Sequence, residues 1–129
     1  MILDSSAVVA ILREEPEAAR FSALVESAPV LRMSVASVLE TSIVMGPGSQ
    51  SVLDRFLTWV GVDQRPVDVA QVEVARAAYL RYGRGSGSRA RLDFGDCFSY
   101  ALAVSSSEPL LFKGDDFRHT DVTPAYVPD

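Results

Sequence analysis

Hydrophobic residues along the chain follow two patterns: short unbroken runs, and longer stretches in which they recur every three or four positions. A short unbroken apolar run is typical of a strand that is buried on both faces. Four runs predict such strands, at residues 1–4, 30–33, 62–67 and 110–112, and the third of these is the weakest.

The longer stretches predict helices, because apolar residues with this spacing fall on one helical face. Pro16 occupies a favourable first helical position, and breakers at Pro29 and residues 46–48 end two of the stretches. N-caps are expected at Ser5 or Ser6, at Ser34 and at Asp68. The predicted helices occupy residues 6–12, 16–26, 35–45, 49–60, 69–82 and 94–105.

Strands that alternate with helices predict an α/β fold with a mostly parallel sheet and right-handed crossovers. The chain of 129 residues shows no repeat and no linker, so we expect one domain over residues 1–129. In sheets of this kind, ligands bind beyond the carboxyl ends of the strands. Functional side chains are therefore expected directly after the predicted strands.

Composition restricts the class of protein. With 48% hydrophobic and 22% charged residues, the chain is typical of globular rather than disordered proteins. Its single cysteine, Cys97, excludes an internal disulfide and a zinc site of four thiolates, and it fits a reducing cytoplasm. No export signal is evident, and no apolar run approaches the roughly 20 residues of a membrane helix. We expect a soluble, cytoplasmic protein without membrane contact.

A net charge of −5 disfavours unspecific binding to nucleic acid, but the charges are unevenly distributed. The glycine-rich segment GRGSGSRAR has no apolar periodicity and is expected to form a flexible loop. Its surroundings supply four candidates for binding phosphate groups, Arg81, Arg84, Arg89 and Arg91. The alternative is a solvated loop that serves only solubility. The segment lacks the Gly-Lys-Ser/Thr ending of a P-loop, so it does not predict nucleotide binding.

Acidic residues follow the predicted strands. Asp4 comes directly after the first strand, and Asp115 and Asp116 follow the last, so both groups lie near one edge of the sheet. Asp96 lies near the start of an otherwise apolar helix, and Glu40 lies mid-helix among small and apolar neighbours. Each acid has an ordinary alternative role, since Asp4 and Asp96 can cap helices and Glu40 can pair with an arginine.

Acids gathered from separate strand–helix junctions would repel one another in a cleft of low dielectric constant, and a divalent cation would remove this repulsion. A site with only oxygen ligands suits Mg²⁺ or Mn²⁺ better than Zn²⁺. Such a cation lowers the pKa of a water molecule and stabilises the charge that develops on a phosphodiester under attack. The pattern therefore favours a phosphodiester hydrolase that needs no histidine.

Four segments, MILDSSAVVAILREEPEA, SVASVLETSIVM, LDFGDCFSYALA and LLFKGDDF, resemble the VapC toxins of type II toxin–antitoxin systems, which are PIN-domain ribonucleases. The resemblance covers essentially the whole chain, with the segments in the family's order and spacing. It implies a three-layer α/β/α PIN-like fold and a metal-dependent endoribonuclease that acts as a toxin. It also implies a homodimer, and a cognate antitoxin that inhibits the toxin by occupying the active-site groove.

The resemblance also implies a role for individual residues. Asp4, Glu40 and Asp96 match three acids of the family's metal site, and these three are the first candidates for metal ligands. The fourth acid lies in GDDF, where the resemblance favours Asp116, the residue before Phe117, over Asp115.

Two further candidate positions lie close to these acids in the sequence. Ser6 matches a Ser or Thr that orients Asp4 or a water on the metal, and helix capping is its alternative role. Asp93 stands where the family often has Asn, so it adds a negative charge near Asp96 and is a possible additional ligand.

Three other hypotheses remain. A phosphoacceptor receiver domain would have a similar length, but it requires an acid pair after the first strand, where this chain has Ser5 and Ser6. A haloacid-dehalogenase phosphatase would require an acid at position 6, where this chain also has serine. The third hypothesis is a non-catalytic PIN-like binding module with a degenerate metal site, and the extra charge of Asp93 keeps it open.

Overall fold

The sheet of the computed structural model, which describes residues 1–128, contains four parallel strands. They are β1 (Ile2–Leu3), β2 (Leu31–Ser34), β3 (Val62–Arg65) and β4 (Leu110–Leu111), and their order across the sheet is β3-β2-β1-β4. The predicted parallel sheet is therefore confirmed. Asp129, the last residue of the predicted domain, lies outside the described residues.

Helices connect the strands in the order that the sequence pattern predicts. They are α1 (Ser5–Leu12), α2 (Ala18–Ser27), α3 (Val35–Met45), α4 (Gln50–Trp59), α5 (Val69–Tyr82) and α6 (Phe94–Ser106). Two short 3₁₀ helices, at Pro47–Ser49 and Asp116–His119, complete the elements of the described residues. None of the helices within residues 1–128 has the length and apolar character needed to cross a membrane.

Neighbouring residues of the short strands face opposite sides of the sheet, as the pleat requires. Ile2 and Leu110 are fully buried in a core formed with α5 and α6. Leu3 and Leu111 are fully buried in a second core formed with α1, α2 and α4. The sheet thus separates two apolar layers, which is the expected three-layer α/β/α architecture.

Strand β1 lies in the middle of the sheet, between β2 and β4. The chain leaves β1 toward β2 and returns to the other side of β1 at β4, so the direction of winding reverses there. Ligand sites of open α/β sheets form at the carboxyl edge of such a switch point. A receiver domain has strand order 2-1-3-4-5, with its third strand beside its first, so this order excludes the receiver reading.

Several element boundaries differ from the predicted ones for local reasons. Asp4 caps α1 by accepting a hydrogen bond from the Ser6 backbone N–H at 3.1 Å, so the cap is neither Ser5 nor Ser6. Pro16 lies in the turn that precedes α2 and not in its first turn. Strand β3 ends before Pro66, which has no N–H to donate to a neighbouring strand. The predicted caps at Ser34 and Asp68 are confirmed.

The glycine-rich segment between α5 and α6 is anchored at its base, which the sequence did not indicate. Gly83 forms an isolated bridge with Leu92, and the Leu92 N–H donates to the Tyr82 carbonyl at 2.9 Å. Ala90 and Leu92 are fully buried in the core beside α5 and α6. The segment is therefore a closed loop that is anchored to the core, and the arginines of this loop are exposed to solvent.

Candidate active site

Asp4 is held in one orientation at the carboxyl end of β1. Only 2% of its surface is exposed. The Ser6 hydroxyl donates to Asp4 Oδ2 at 2.6 Å, and the Ser99 hydroxyl of α6 donates to Oδ1 at 2.6 Å. The same Ser6 oxygen accepts a hydrogen bond from the Lys113 backbone N–H at 3.0 Å, which links Asp4 to the chain that leaves β4. Asp4 therefore both caps α1 and presents a fixed carboxylate.

Glu40 projects from α3 toward the start of α6. The Ser5 hydroxyl donates a short hydrogen bond of 2.5 Å to Glu40 Oε1. The other carboxylate oxygen lies against Gly95, where an added Cβ would overlap Glu40 Oε2. Only glycine at this position leaves the carboxylate where it is. Glu40 forms no ion pair within residues 1–128, so the alternative of a simple arginine partner does not hold.

Asp93 and Asp96 form a reciprocal capping box at the start of α6. The Asp96 N–H donates to Asp93 Oδ1 at 2.9 Å, and the Asp93 N–H donates to Asp96 Oδ2 at 3.0 Å. The N-cap is thus Asp93, whereas the ordinary alternative had placed Asp96 in that role. These hydrogen bonds fix both carboxylates beside the residue that contacts Glu40.

The charges of these acids act on one another. Burial raises the pKa of Asp96 to about 8; the hydrogen bond from the Asp93 N–H opposes this rise, and the charges of Asp4 and Asp93 add to it. Burial also raises the pKa of Glu40; the Ser5 hydrogen bond opposes this rise, and the charges of Asp4 and Asp93 again add to it. We call Asp4, Glu40, Asp93 and Asp96 the carboxylate cluster.

Asp115 and Asp116 are not among the residues whose charges raise the pKa values of Glu40 and Asp96. Asp116 is exposed at the start of the second 3₁₀ helix and is not among the charges that raise the pKa of Glu40 or Asp96. Asp115 is also exposed and pairs with Arg118 at 3.6 Å and with His119 at 3.3 Å. The structure therefore brings together the three first candidates and Asp93. A ligand role for Asp116 stays a prediction.

Sequence reasoning missed four residues that position the cluster. Ser99 is fully buried, and its hydroxyl lies 3.0 Å from that of Ser37, which is also buried. Ser5 and Gly95 contact Glu40, as described above. A signal was present, because Ser37 lies three residues before Glu40 and Ser99 three after Asp96, on the same helical faces as these acids.

The donor set fits a hard divalent cation. All four acids offer oxygen, and none of them forms a salt bridge within residues 1–128. Within residues 1–128, no group of three or more His, Cys, Asp or Glu side chains is placed so that it could hold a metal ion by itself. Mg²⁺ usually keeps several waters and takes only one or two carboxylates. The four acids repel one another and have no cationic partner within residues 1–128. One or two of them can therefore bind such an ion while water completes its coordination.

Cys97 and the arginine-rich loop are close to the cluster along the chain. Cys97 is buried, and burial raises the pKa of its thiol to about 11, so it is no nucleophile at neutral pH. The four candidate arginines are exposed and form no salt bridge with any residue of the described chain. Their loop leads directly into Asp93.

The raised pKa of Asp96 predicts a pH-dependent stability of the metal-free protein. Its folded value of about 8 lies above its usual value of 3.8, so the folded state binds this proton more tightly than the unfolded chain does. The resulting stabilisation is complete below the lower value and is lost as pH rises through the upper one. In EDTA, Tm should therefore fall between about pH 5 and about pH 8.5, and Asp96→Asn should remove most of this fall.

Asp54→Asn, an exposed position on α4, is the matched control and should keep the wild-type pH dependence. Adding Mg²⁺ favours the charged carboxylates, so its effect on Tm should be larger at the higher pH. Thermal melts of the three proteins decide the point. Identical pH dependence in wild type and Asp96→Asn would contradict it.

Comparison with known proteins identifies the family of this chain. A family model described as the PIN domain matches residues 1–122. The chain is 48% identical to VapC ribonuclease Mb0640 of Mycobacterium bovis over 133 aligned residues, which cover 99% of this chain and 100% of that protein. It is 50% identical to ribonuclease VapC of Mycolicibacterium smegmatis, with 95% and 97% of the two chains covered.

A solved structure has the same fold. Mycobacterium tuberculosis VapC20, described as a toxin that cleaves the sarcin–ricin loop, superposes with a TM-score of 0.77 over 95% of each chain, at 17% identity. At that identity, the likeness supports the fold alone. With a family model over nearly all of its length and relatives of equal length at about half identity, the chain belongs to the PIN-domain family and, within it, to the VapC ribonucleases.

Proposed function

We propose that this chain is a metal-dependent endoribonuclease that hydrolyses RNA phosphodiesters at the carboxylate cluster and serves as the toxin of a toxin–antitoxin pair. The observation that carries the proposal is the cluster itself. Acids from three separate elements converge beyond β1, where hydrogen bonds fix them and no salt bridge to them forms among the described residues. Membership of the VapC ribonucleases supports RNA as the substrate.

The chain's own residues prepare the site for a cation. Ser6 and Ser99 hold both oxygens of Asp4, while Ser5 and Gly95 fix the carboxylate of Glu40. When bound, Mg²⁺ or Mn²⁺ supplies a water of lowered pKa and stabilises charge at the scissile phosphate. Because burial raises the pKa of Asp96 to about 8, this acid would release a proton when a cation binds near neutral pH.

The ligand set proposed from the family resemblance is Asp4, Glu40, Asp96 and Asp116. Asp93 is the proposed additional ligand, because its reciprocal hydrogen bonds with Asp96 hold it beside that acid. The exposed arginines Arg81, Arg84, Arg89 and Arg91 are proposed to bind RNA phosphates beside the cluster. They compensate locally for the acidic net charge of the chain.

Cleavage of single-stranded RNA by the purified chain tests the function. We expect cleavage with Mg²⁺ or Mn²⁺, no cleavage in EDTA, and a loss of about 100-fold or more in Asp96→Asn. Asp54→Asn should retain full activity, because this acid is exposed on α4 away from the cluster.

The arginine proposal is tested in the same assay. Arg84→Ala with Arg89→Ala should raise KM and weaken its dependence on salt.

The outcomes separate the proposed activity from its rivals. Cleavage that persists in EDTA would contradict metal dependence. Binding of metal and RNA without cleavage of any RNA would favour the degenerate binding module. Unchanged salt dependence in the double arginine variant would reject the role of the loop and leave the nuclease in place.

Gly95→Ala is expected to separate activity from stability. The added Cβ would displace Glu40 Oε2, and outer positions that orient metal ligands typically contribute about 10- to 100-fold to activity. Alanine stabilises a helix by up to about 1 kcal/mol over glycine, so Tm should stay or rise. RNA cleavage and thermal melts measure both effects. Gly48→Ala, where an added Cβ meets nothing, is the control, and full activity of Gly95→Ala would be the contrary result.

The partners of the proposed toxin are a second copy of this chain and a cognate antitoxin, in the cytoplasm. Exposed apolar residues support a protein partner, because Val35, Leu39 and Ile43 form a stripe along α3 at four-residue spacing, and Ile43 is 70% exposed. We assign this stripe to the interface of the homodimer.

Light scattering should give the mass of a dimer for the wild type and of a monomer for Ile43→Glu, whereas Ser51→Glu should stay dimeric. A dimer of Ile43→Glu would contradict the assignment.

A further inference from the structure

Phe94 is a large aromatic residue that the fold leaves outside the core. It is the first residue of α6, between Asp93 and Gly95, and 79% of its surface is exposed. Its ring nevertheless has a defined neighbour, since it packs edge to face against Phe98 with 5.0 Å between ring centroids and 83° between planes. Phe94 is therefore a positioned ring on the first turn of α6, which also carries Asp96 of the carboxylate cluster, and its contribution to the core is small.

The ring borders an apolar groove between α5 and α6 of about 690 Å³. Its walls include Val72 and Tyr79 from α5, with Phe94 and Phe98 from α6. Arg76 is the one charged side chain among the lining residues within the described part of the chain. A site of this volume falls within the range of small-molecule pockets, roughly 300–1,000 Å³, and it begins one residue from Asp93.

We propose that Phe94 stacks on an unpaired nucleobase next to the cleaved phosphate and that the α5–α6 groove receives this base. The inference rests on the proposed ribonuclease function and adds how the substrate is positioned. Base stacking on aromatic side chains is the common means of holding single-stranded RNA. Phe94 would be a positioning residue that aligns the phosphate with the cluster.

Location favours a nucleotide as the occupant of the groove. A phosphate that the proposed cation would hold near Asp93 and Asp96 carries its own base within one nucleotide, and Phe94 lies between these two acids in the sequence. Arg76 offers a positive charge to the next phosphate along the strand. A phenyl ring provides stacking area but no hydrogen bond to a base edge, so this contact should tolerate different bases.

Single-turnover cleavage of a short unstructured RNA tests the proposal with two changes, one in the protein and one in the RNA. Phe94→Ala should slow cleavage about 5- to 100-fold, and Phe94→Tyr should stay within about threefold of wild type. An RNA with an abasic nucleotide beside the cleaved phosphate should slow the wild type by a similar factor. The abasic change should have no further effect in Phe94→Ala, because the two changes remove the same contact.

Trp59→Ala is the matched control. Trp59 is 85% exposed at the end of α4, before β3 begins, and therefore lies toward the sheet edge opposite the cluster. Its removal deletes a comparable aromatic surface and should leave cleavage unchanged. Quenching of 2-aminopurine in the RNA, measured in EDTA, gives a second readout and should be lost in Phe94→Ala.

The contrary outcomes are distinct. Wild-type cleavage by Phe94→Ala would overturn the proposal, and so would an abasic penalty that remains complete in this variant. A Phe94→Ala variant that cleaves normally but no longer binds a second copy or an inhibitory protein would assign the groove to a protein. If the wild type cleaves no RNA, the proposed function fails, and the 2-aminopurine signal still decides whether a base stacks on Phe94.

Discussion

Mutual repulsion of buried carboxylates is the constraint on which the rest of this structure depends. Burial and neighbouring negative charges raise the pKa values of Glu40 and Asp96, and neither acid forms a salt bridge within residues 1–128. The cluster is oriented by neutral donors, namely serine hydroxyls and backbone N–H groups. Neutral donors fix geometry without cancelling charge, so the attraction for a divalent cation is retained.

Small residues let α3 and α6 approach each other closely beside the cluster. Ser37 and Ser99 meet where α3 crosses α6, and Gly95 leaves room for the carboxylate of Glu40. Strand β1 lies in the centre of the sheet, with one core on each face, and this position buries Asp4 at its carboxyl end. The same two cores that stabilise the sheet therefore fix the position of the first acid.

Around the cluster, three kinds of surface are suited to three parts of an RNA nucleotide. In the proposed function, the carboxylates hold the cation that acts on the phosphate, and the exposed arginines of the anchored loop offer positive charge to neighbouring phosphates. The groove beside Phe94 offers apolar area to a base. This division reconciles an acidic chain with a polyanionic substrate, because each part of the substrate meets its own complementary chemistry.

The sequence by itself determined the alternation of strands and helices, the parallel sheet, and the placement of Asp4, Glu40 and Asp96 at strand–helix junctions or on small-residue faces. Local periodicity and capping carry that information, because they depend on residues a few positions apart. Only the tertiary structure decided that Asp93 rather than Asp116 couples to these acids, that Gly95 makes room for Glu40, and that the arginine loop is anchored. Such contacts join segments that are distant in the sequence; Asp4 and Ser99, for example, are 95 residues apart. They depend on how the helices cross, which local sequence patterns do not specify.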